Sequence, residues 1–373
     1  MPNMMKAAMY YGPGDIRIKE MPIPNYGPEG MLVRVKACGV CDIIDLPQWE
    51  TWPMAARGIG QGVGHEWAGE VVEVGSKVTC VKPGDRVYGH RNSPCYHCEA
   101  CLHSEYDRCV GVFERMGEVV TGAFAEYIAF HRVSPEKGLV IFPKDDGCNF
   151  RDLALVEPFE LSVALARKVK EGETVVIFGQ ELVALGVTGL LNQQKPAKII
   201  TVEASEIRRK ASKKAGADIV INPLKEDVVS IIMDATNGKG AHKIIISDER
   251  PIATMQAMNV VRHFGDIWLA KANAFMQLNP AVVNMHPVNF RQADAGYAEP
   301  PIKFDPSLFS MQTAWGTLGP YKERWWKGYT DLIRPGKLNA ANMVTKVFPL
   351  EKIKEAYEAE MDTYSNIKVV VEP

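Results

Sequence analysis

The sequence predicts an α/β protein of two domains, a β-rich first domain and a second domain built on a doubly wound parallel sheet. Three observations predict it. The 373 residues exceed the size at which single cores stop growing, roughly 250–300 residues. Up to about residue 150, short β-branched runs are separated by Pro/Gly turns such as YGPGD, NYGPEG and VKPGD. From about residue 155 strands and helices alternate, the order that builds a parallel sheet covered on both faces.

In the first region the strand runs are Met31–Ala37, Gly69–Val74, Arg86–Tyr88 and Ala125–Ala129. In the second, Val175–Phe178 is a continuous apolar run of a buried strand, and Leu182–Gln193 carries a helical pattern. Ile199–Val202 is the next strand, and Ile207–Ala215 a helix stopped by Gly216. Ile219–Ile221, a helix near 226–235 and the strand Lys243–Ile246 follow, then a helix over Thr254–His263 and a strand over Asp266–Ala270. Residues 271–312 fit no period and read as an irregular packed excursion. Leu350–Glu360 closes as a helix and Ile367–Val371 as a strand. The expected layout is 1–154 as the β-rich domain, 155–302 as the parallel-sheet domain, and 303–373 returning to the first.

Composition is that of a soluble globular protein, 46% hydrophobic and 24% charged with a net charge of −2. With no Lys/Arg block, a nucleic-acid or membrane-surface role has no electrostatic support. No run of 18 apolar residues and no apolar leader core is present, so a cytoplasmic location is expected.

The eight cysteines are clumped. Cys95, Cys98, Cys101 and Cys109 form C-x2-C-x2-C-x7-C, a set of four thiolates able to close a tetrahedral structural zinc site. His97 and His103, inside that loop, read as surface residues because four sulfurs already fill the coordination sphere. A second set is sparser: Cys41, then His65 and Glu66 in GHE, then Glu157 in EP. Catalytic zinc keeps three protein ligands and an open position, and Cys41, His65 and Glu157 make a suitable S/N/O set. Glu66 fits as an outer carboxylate or a transient ligand. Taken alone, a lone Cys and a lone His are as readily packed residues.

GHEWAGEVVEVGSKV followed by VKPGDRV, with ACGVC, ALVEP, AGADIVINP and the closing IKVVV in order, resembles the zinc-containing medium-chain alcohol and polyol dehydrogenases. The Glu-Pro form of the third ligand is similar to the sorbitol, threonine and threitol dehydrogenase branch. The resemblance covers nearly the whole chain. It implies a GroES-like catalytic domain, a Rossmann domain, and a homodimer or homotetramer acting on a small-molecule substrate. It also implies catalytic zinc at Cys41, His65 and Glu157 with Glu66 beside them, and structural zinc at the four-cysteine loop. NAD is the implied cofactor, with Gly179, Glu181, Ala184, Glu203 and Arg208 as the cofactor-binding positions. Glu203 would bind the ribose hydroxyls and favour NAD over NADP.

Three departures qualify this. Ile43 stands two residues after Cys41, where relatives carry Ser or Thr to relay the alcohol proton. Asp42 and Asp45 flank it, as a catalytic base or as ordinary loop carboxylates. Glu181 replaces the middle glycine of Gly-x-Gly-x-x-Gly and Ala184 the last. A carboxylate about 5 Å from a phosphate charge costs roughly 3 kcal/mol at an effective dielectric near 20. Glu181 either occupies the anion site at the helix N-terminus or points to solvent in a reshaped turn. Finally, SDERP (247–251) puts Asp248, Glu249 and Arg250 where relatives have small neutral residues. The expected function is zinc-dependent interconversion of a secondary alcohol and a ketone. The alternatives are lyase, dehydratase or isomerase chemistry without net hydride transfer, and a non-catalytic subunit. Trp49, Trp52 and Arg57 border the expected substrate cleft, or simply pack. His286, Asn289, Arg291 and Tyr297 of the excursion would shape a pocket or a subunit interface.

Overall fold

The computed structural model describes residues 4–43, 45–50, 60–89, 98–103, 122–131, 133, 139–194, 196, 198–270, 289–292, 326–334, 337–338 and 342–373. The chain divides into two compact units, Met1–Pro158 with Gly319–Pro373, and Phe159–Leu318.

The first unit opens with an antiparallel hairpin, β1 (Met4–Gly12) and β2 (Asp15–Pro22), turned at YGPGD. β1 also pairs with the short β4 (Gln61–Gly62). The larger sheet has β3 (Met31–Gly39) at its centre. β3 pairs antiparallel with β5 (Glu66–Val74) and with β7 (Tyr127–Phe130), while β6 (Arg86–Gly89) and β8 (Leu139–Phe142) extend it beyond β5. Met5, Ala7, Met9, Leu32, Ala125, Tyr127 and Ala129 form one buried cluster between hairpin and sheet. The burial of β1 shows why the run pairs: Met5 and the unbroken apolar run Ala7–Tyr10 are buried, and Met4 at its start is exposed.

The second unit holds β9 (Thr174–Phe178), β10 (Lys198–Val202), β11 (Ile219–Ile221), β12 (Ala241–Ile246), β13 (Val261–Leu269) and β14 (Asn289–Gln292). All adjacent pairs are parallel, in the order β11-β10-β9-β12-β13-β14. The strand order reverses between β9 and β12, and in an open α/β sheet ligands bind outside the strand ends at such a point. Val176, Phe178, Ile200, Val202, Ile244, Ile246, Ile267 and Leu269 are buried in one core, and Val175, Ile177, Ile199 and Ile245 between them are buried as well, so these strands read as continuous apolar runs. The helix Glu206–Ala215 is capped by the Ser205 hydroxyl and stopped by Gly216 in the left-handed region at φ 108°.

The C-terminal segment supplies β15 (Val344–Pro349), a helix over Ile353–Met361 and β16 (Lys368–Glu372). β16 pairs parallel with β15 and antiparallel with β3, so the last strand lies in the first unit's sheet.

Two expectations are corrected. The helix expected over Thr254–His263 runs from Pro251 to Val260. Pro251 starts it, because proline suits the first helical turn. Val261 and the residues after it join β13 instead, where Phe264 takes a positive φ of 59° ahead of Gly265. The helix expected over Leu350–Glu360 begins as a 3-10 turn, Leu350–Lys352, and becomes α-helical only at Ile353. Apart from β14, the excursion at 271–312 lies outside the described residues, as do Trp52, Arg57, His286 and Tyr297.

Candidate metal centre and dinucleotide turn

The metal centre follows from strand register. β3 and β5 pair so that Gly39 faces Glu66 and Cys38 faces Trp67. Cys41, two residues past Gly39, therefore arrives beside His65 and Glu66, although Cys41 and His65 are 24 positions apart in the sequence. Gly39 leaves room for this approach, since a Cβ there would lie 2.3 Å from the Glu66 Oε2 and displace it. One ligand atom each from Cys41, His65 and Glu66 all lie within 4.8 Å of one another, and all three residues are buried.

Around this trio are two charged residues whose roles local sequence does not announce. Asp45 is buried, accepts a hydrogen bond from the Cys41 N–H at 3.0 Å through Oδ2, and places Oδ1 3.6 Å from His65 Nδ1. A carboxylate on one imidazole nitrogen orients the ring and raises the basicity of the other. Lys368, at the start of β16 and only 1% exposed, pairs with Glu66 Oε2 at 2.6 Å and donates to the Val40 carbonyl at 2.7 Å. Its one sequence signal is a lysine opening an otherwise apolar strand, IKVVV.

The electrostatics suit a cation. Burial pushes the Cys41 thiol well above its ordinary value, and the carboxylates of Glu66 and Asp45 push it further. Burial alone would lower Lys368, but Glu66 and Glu360 outweigh it and hold the ammonium charged. A dry cluster of thiol, imidazole and carboxylates with one ammonium to balance it fits a divalent ion, which favours the thiolate and the ionised carboxylate. Among the described residues this is the group able to hold a metal.

The remaining expected site residues are spread around it. Glu157 is half-buried and stands outside the trio whose atoms lie within 4.8 Å. Asp42 and Ile43 are half-buried beside Cys41. Trp49 packs on Tyr357 with ring centroids 5.3 Å apart, a packing contact. In the four-cysteine loop, Cys98 precedes the short helix Glu99–Leu102, and His103 is exposed. Cys95, Cys109 and His97 lie outside the described residues, as does the side chain of Cys101.

The dinucleotide turn follows β9. Gly179 has φ +86°, and a Cβ on it would lie 2.8 Å from the Asp248 amide nitrogen. Only glycine suits that conformation and that closeness. Glu181 begins the helix Leu182–Gln194: its carbonyl accepts the Leu185 N–H at 2.9 Å, which makes it the capping residue. Its carboxylate folds onto the helix end, accepting from the Val183 N–H at 2.5 Å and the Ala184 N–H at 3.3 Å. The Ser247 hydroxyl, from the segment after β12, donates to its other side. Glu181 is 4% exposed, so of the two orientations left open by the sequence the structure adopts the one on the helix N-terminus.

Glu203, at the end of β10, accepts from the Gln180 N–H and the Ser205 N–H, each at 2.7 Å. The Arg208 N–H donates to the capping Ser205 hydroxyl. In SDERP the charges close on each other: Asp248 accepts from Arg250 Nε at 2.9 Å and from the Arg250 backbone N–H.

Residues 27–142 match the alcohol dehydrogenase GroES-like domain, and residues 184–293 match the zinc-binding dehydrogenase family. The chain is 34% identical over 253 residues to an L-threonine 3-dehydrogenase of Caldanaerobacter subterraneus, covering 67% of this chain and 70% of that one. It is 31% identical over 270 residues to a sorbitol dehydrogenase of Bacillus subtilis, covering 71% and 74% respectively. The crystal structure of 2R,3R-butanediol dehydrogenase from Bacillus subtilis superposes with a TM-score of 0.73 at 26% identity, covering 99% of both chains. A GroES-like β-rich unit, a parallel sheet of Rossmann order and these relatives give one conclusion: the chain belongs to the zinc-binding alcohol dehydrogenase family and is an oxidoreductase.

Proposed function

We propose that this enzyme interconverts a secondary alcohol and a ketone, with a polyol, a sugar alcohol or a related hydroxy compound as substrate. The observation that carries the reading is the buried Cys41–His65–Glu66 trio with its two supporting charges, Asp45 and Lys368. Relatives named as threonine and sorbitol dehydrogenases support oxidoreduction over lyase, dehydratase or isomerase chemistry.

Cys41, His65 and a carboxylate would hold the zinc. Glu66 is the carboxylate with an oxygen within 4.8 Å of both other ligand atoms here, and Glu157 is the family-implied third ligand. Zinc, when bound, supplies a Lewis acid that polarises the substrate oxygen. Asp45, 3.6 Å from His65 Nδ1, is placed to orient the ring once the metal is bound, and Lys368 holds Glu66 by its ammonium. Because Asp45 is committed to Cys41 and His65, the half-buried Asp42 is the flanking carboxylate left to accept the alcohol proton where relatives use Ser or Thr. Cys95, Cys98, Cys101 and Cys109 would hold a second, structural zinc.

NAD is the proposed hydride acceptor. The crevice at the strand-order reversal and Glu203 at the end of β10 fit its adenosine half. The pyrophosphate position does not fit while Glu181 sits on the helix amides. We further place the enzyme in the cytoplasm as a homodimer or homotetramer. Among the described residues no helix is long and apolar enough to cross a membrane.

The test is a spectrophotometric assay of the zinc-loaded enzyme with NAD against sorbitol, threitol, 2,3-butanediol and threonine, beside metal analysis. Alcohol-dependent NADH formation that disappears in Cys41→Ser and His65→Ala, together with loss of one zinc per chain, is expected. Zinc retained in full by both variants would remove this trio from the reaction.

A further inference from the structure

Four backbone N–H groups of the first strand-to-helix turn are already in use. The Gly179 N–H is bonded to the Val202 carbonyl, and the Gln180 N–H to Glu203. The Val183 and Ala184 N–H groups are bonded to Glu181. The Gln180 side chain, fully buried, donates to the Gly179 carbonyl at 2.8 Å and accepts from the Thr188 hydroxyl at 3.0 Å. A helix N-terminus with unsatisfied N–H groups attracts an anion, and in a dinucleotide-binding sheet that anion is the pyrophosphate. Here the chain supplies the anion itself.

Glutamate is longer than the Ser, Thr, Asp or Asn that usually cap helices, so its carboxylate needs a further partner to be held. Ser247 is that partner. It comes from the segment after β12, while Glu181 follows β9, so the contact spans the two strands between which the order reverses. The Asp248–Arg250 pair behind it fixes the segment that presents Ser247.

We infer that Glu181 is a tethered competitor of the dinucleotide pyrophosphate, locked across the crevice by Ser247, and that a nicotinamide dinucleotide binds only when this carboxylate swings off the α-helical amides. The identity of the ligand rests on the dehydrogenase reading above; the self-capped turn rests on the contacts alone. Displacing Glu181 gives up its bonds to Val183, Ala184 and Ser247 and leaves one anion beside another. That makes wild-type affinity about 10- to 100-fold weaker than that of the same site without the carboxylate.

The experiment compares zinc-loaded, full-length wild type with Glu181→Gly, Glu181→Gln and Ser247→Ala. NADH binding is measured by calorimetry and nicotinamide fluorescence. Binding of inorganic pyrophosphate is read as a rise in Tm. Circular dichroism verifies that each variant is folded. Glu181→Gly should bind NADH about 10- to 100-fold more tightly than wild type, and pyrophosphate should raise its Tm at concentrations that leave wild type unmoved. Ser247→Ala, which loosens the lock while keeping the charge, should show a smaller gain of the same sign, and it carries the test if Glu181→Gly does not fold. Equal affinities in wild type and variants, or absence of binding in all of them, would overturn the inference. Equal affinities with alcohol oxidation intact would spare the dehydrogenase reading. A gain in pyrophosphate and NADH affinity without oxidation of any alcohol would sustain the self-capped turn and sink that reading.

Discussion

Asp45, Lys368 and Glu360 are buried charged residues around Cys41, His65 and Glu66 that do not belong to the expected ligand set. Because Asp45 Oδ1 stands 3.6 Å from His65 Nδ1, Asp45→Ala should weaken zinc binding about 10- to 100-fold, read by competition with a chromophoric chelator. Lys368→Met removes the ammonium that balances the buried Glu66. The metal-free protein should lose about 3–5 kcal/mol in urea unfolding, and zinc should restore part of it because a second cation replaces the first. Burial pushes the Glu360 carboxyl up to about 8 from the ordinary 4.5, against the pull of Lys368. A carboxyl with a raised folded-state value binds its proton more tightly in the folded chain. Its stability contribution is therefore complete below pH 4.5 and is lost as pH rises through about 8. Glu360→Gln cannot ionise, so its Tm advantage over wild type should grow across that window and level off above it. At this scale Cys41, His65 and Glu66 were marked by the motifs that carry the family resemblance, since their spacing alone fitted packed residues as readily. Lys368 and Glu360 were not, because Lys368 pairs with Glu66, hundreds of residues away in the chain, and Glu360 acts beside Lys368.

Among the elements, the parallel-sheet strands were the most legible, since burial on both faces leaves an uninterrupted apolar run that few other structures produce. Helix ends were less so. The helix before β13 stops at Val260, and the strand that follows carries Phe264, which is 76% exposed at a φ of 59°. A non-glycine residue in the left-handed region costs roughly 1–2 kcal/mol. Phe264→Gly should therefore stabilise the protein by about 1 kcal/mol, measured as a higher denaturant midpoint at unchanged slope. The cap at Asn149 makes the opposite case. Its side chain accepts the Asp152 N–H at 3.0 Å and starts the short helix Phe150–Ala154. Asn149→Ala should cost about 1 kcal/mol by the same measurement.

On the scale of the whole molecule, the two units carry separate cores, one under the β1–β2 hairpin and one within the parallel sheet. Metal removal should therefore act unevenly. In hydrogen exchange, chelation should expose amides of β3 and β5, whose ends hold the trio, and leave β9, β10 and β12 protected; uniform loss of protection would contradict this. By itself the sequence determined the fold class, the strand–turn–helix around Gly179 and the residue types for a metal site, because those depend on local periodicity, turn chemistry and short motifs. Only the tertiary structure brings Cys41, His65 and Glu66 within 4.8 Å of one another, because strand register is set by pairing between distant segments. It alone decided, too, that Glu181 turns inward. A carboxylate at a helix start can face water or the helix amides, and the choice fell to Ser247, sixty-six residues away, which reaches across the crevice to hold it.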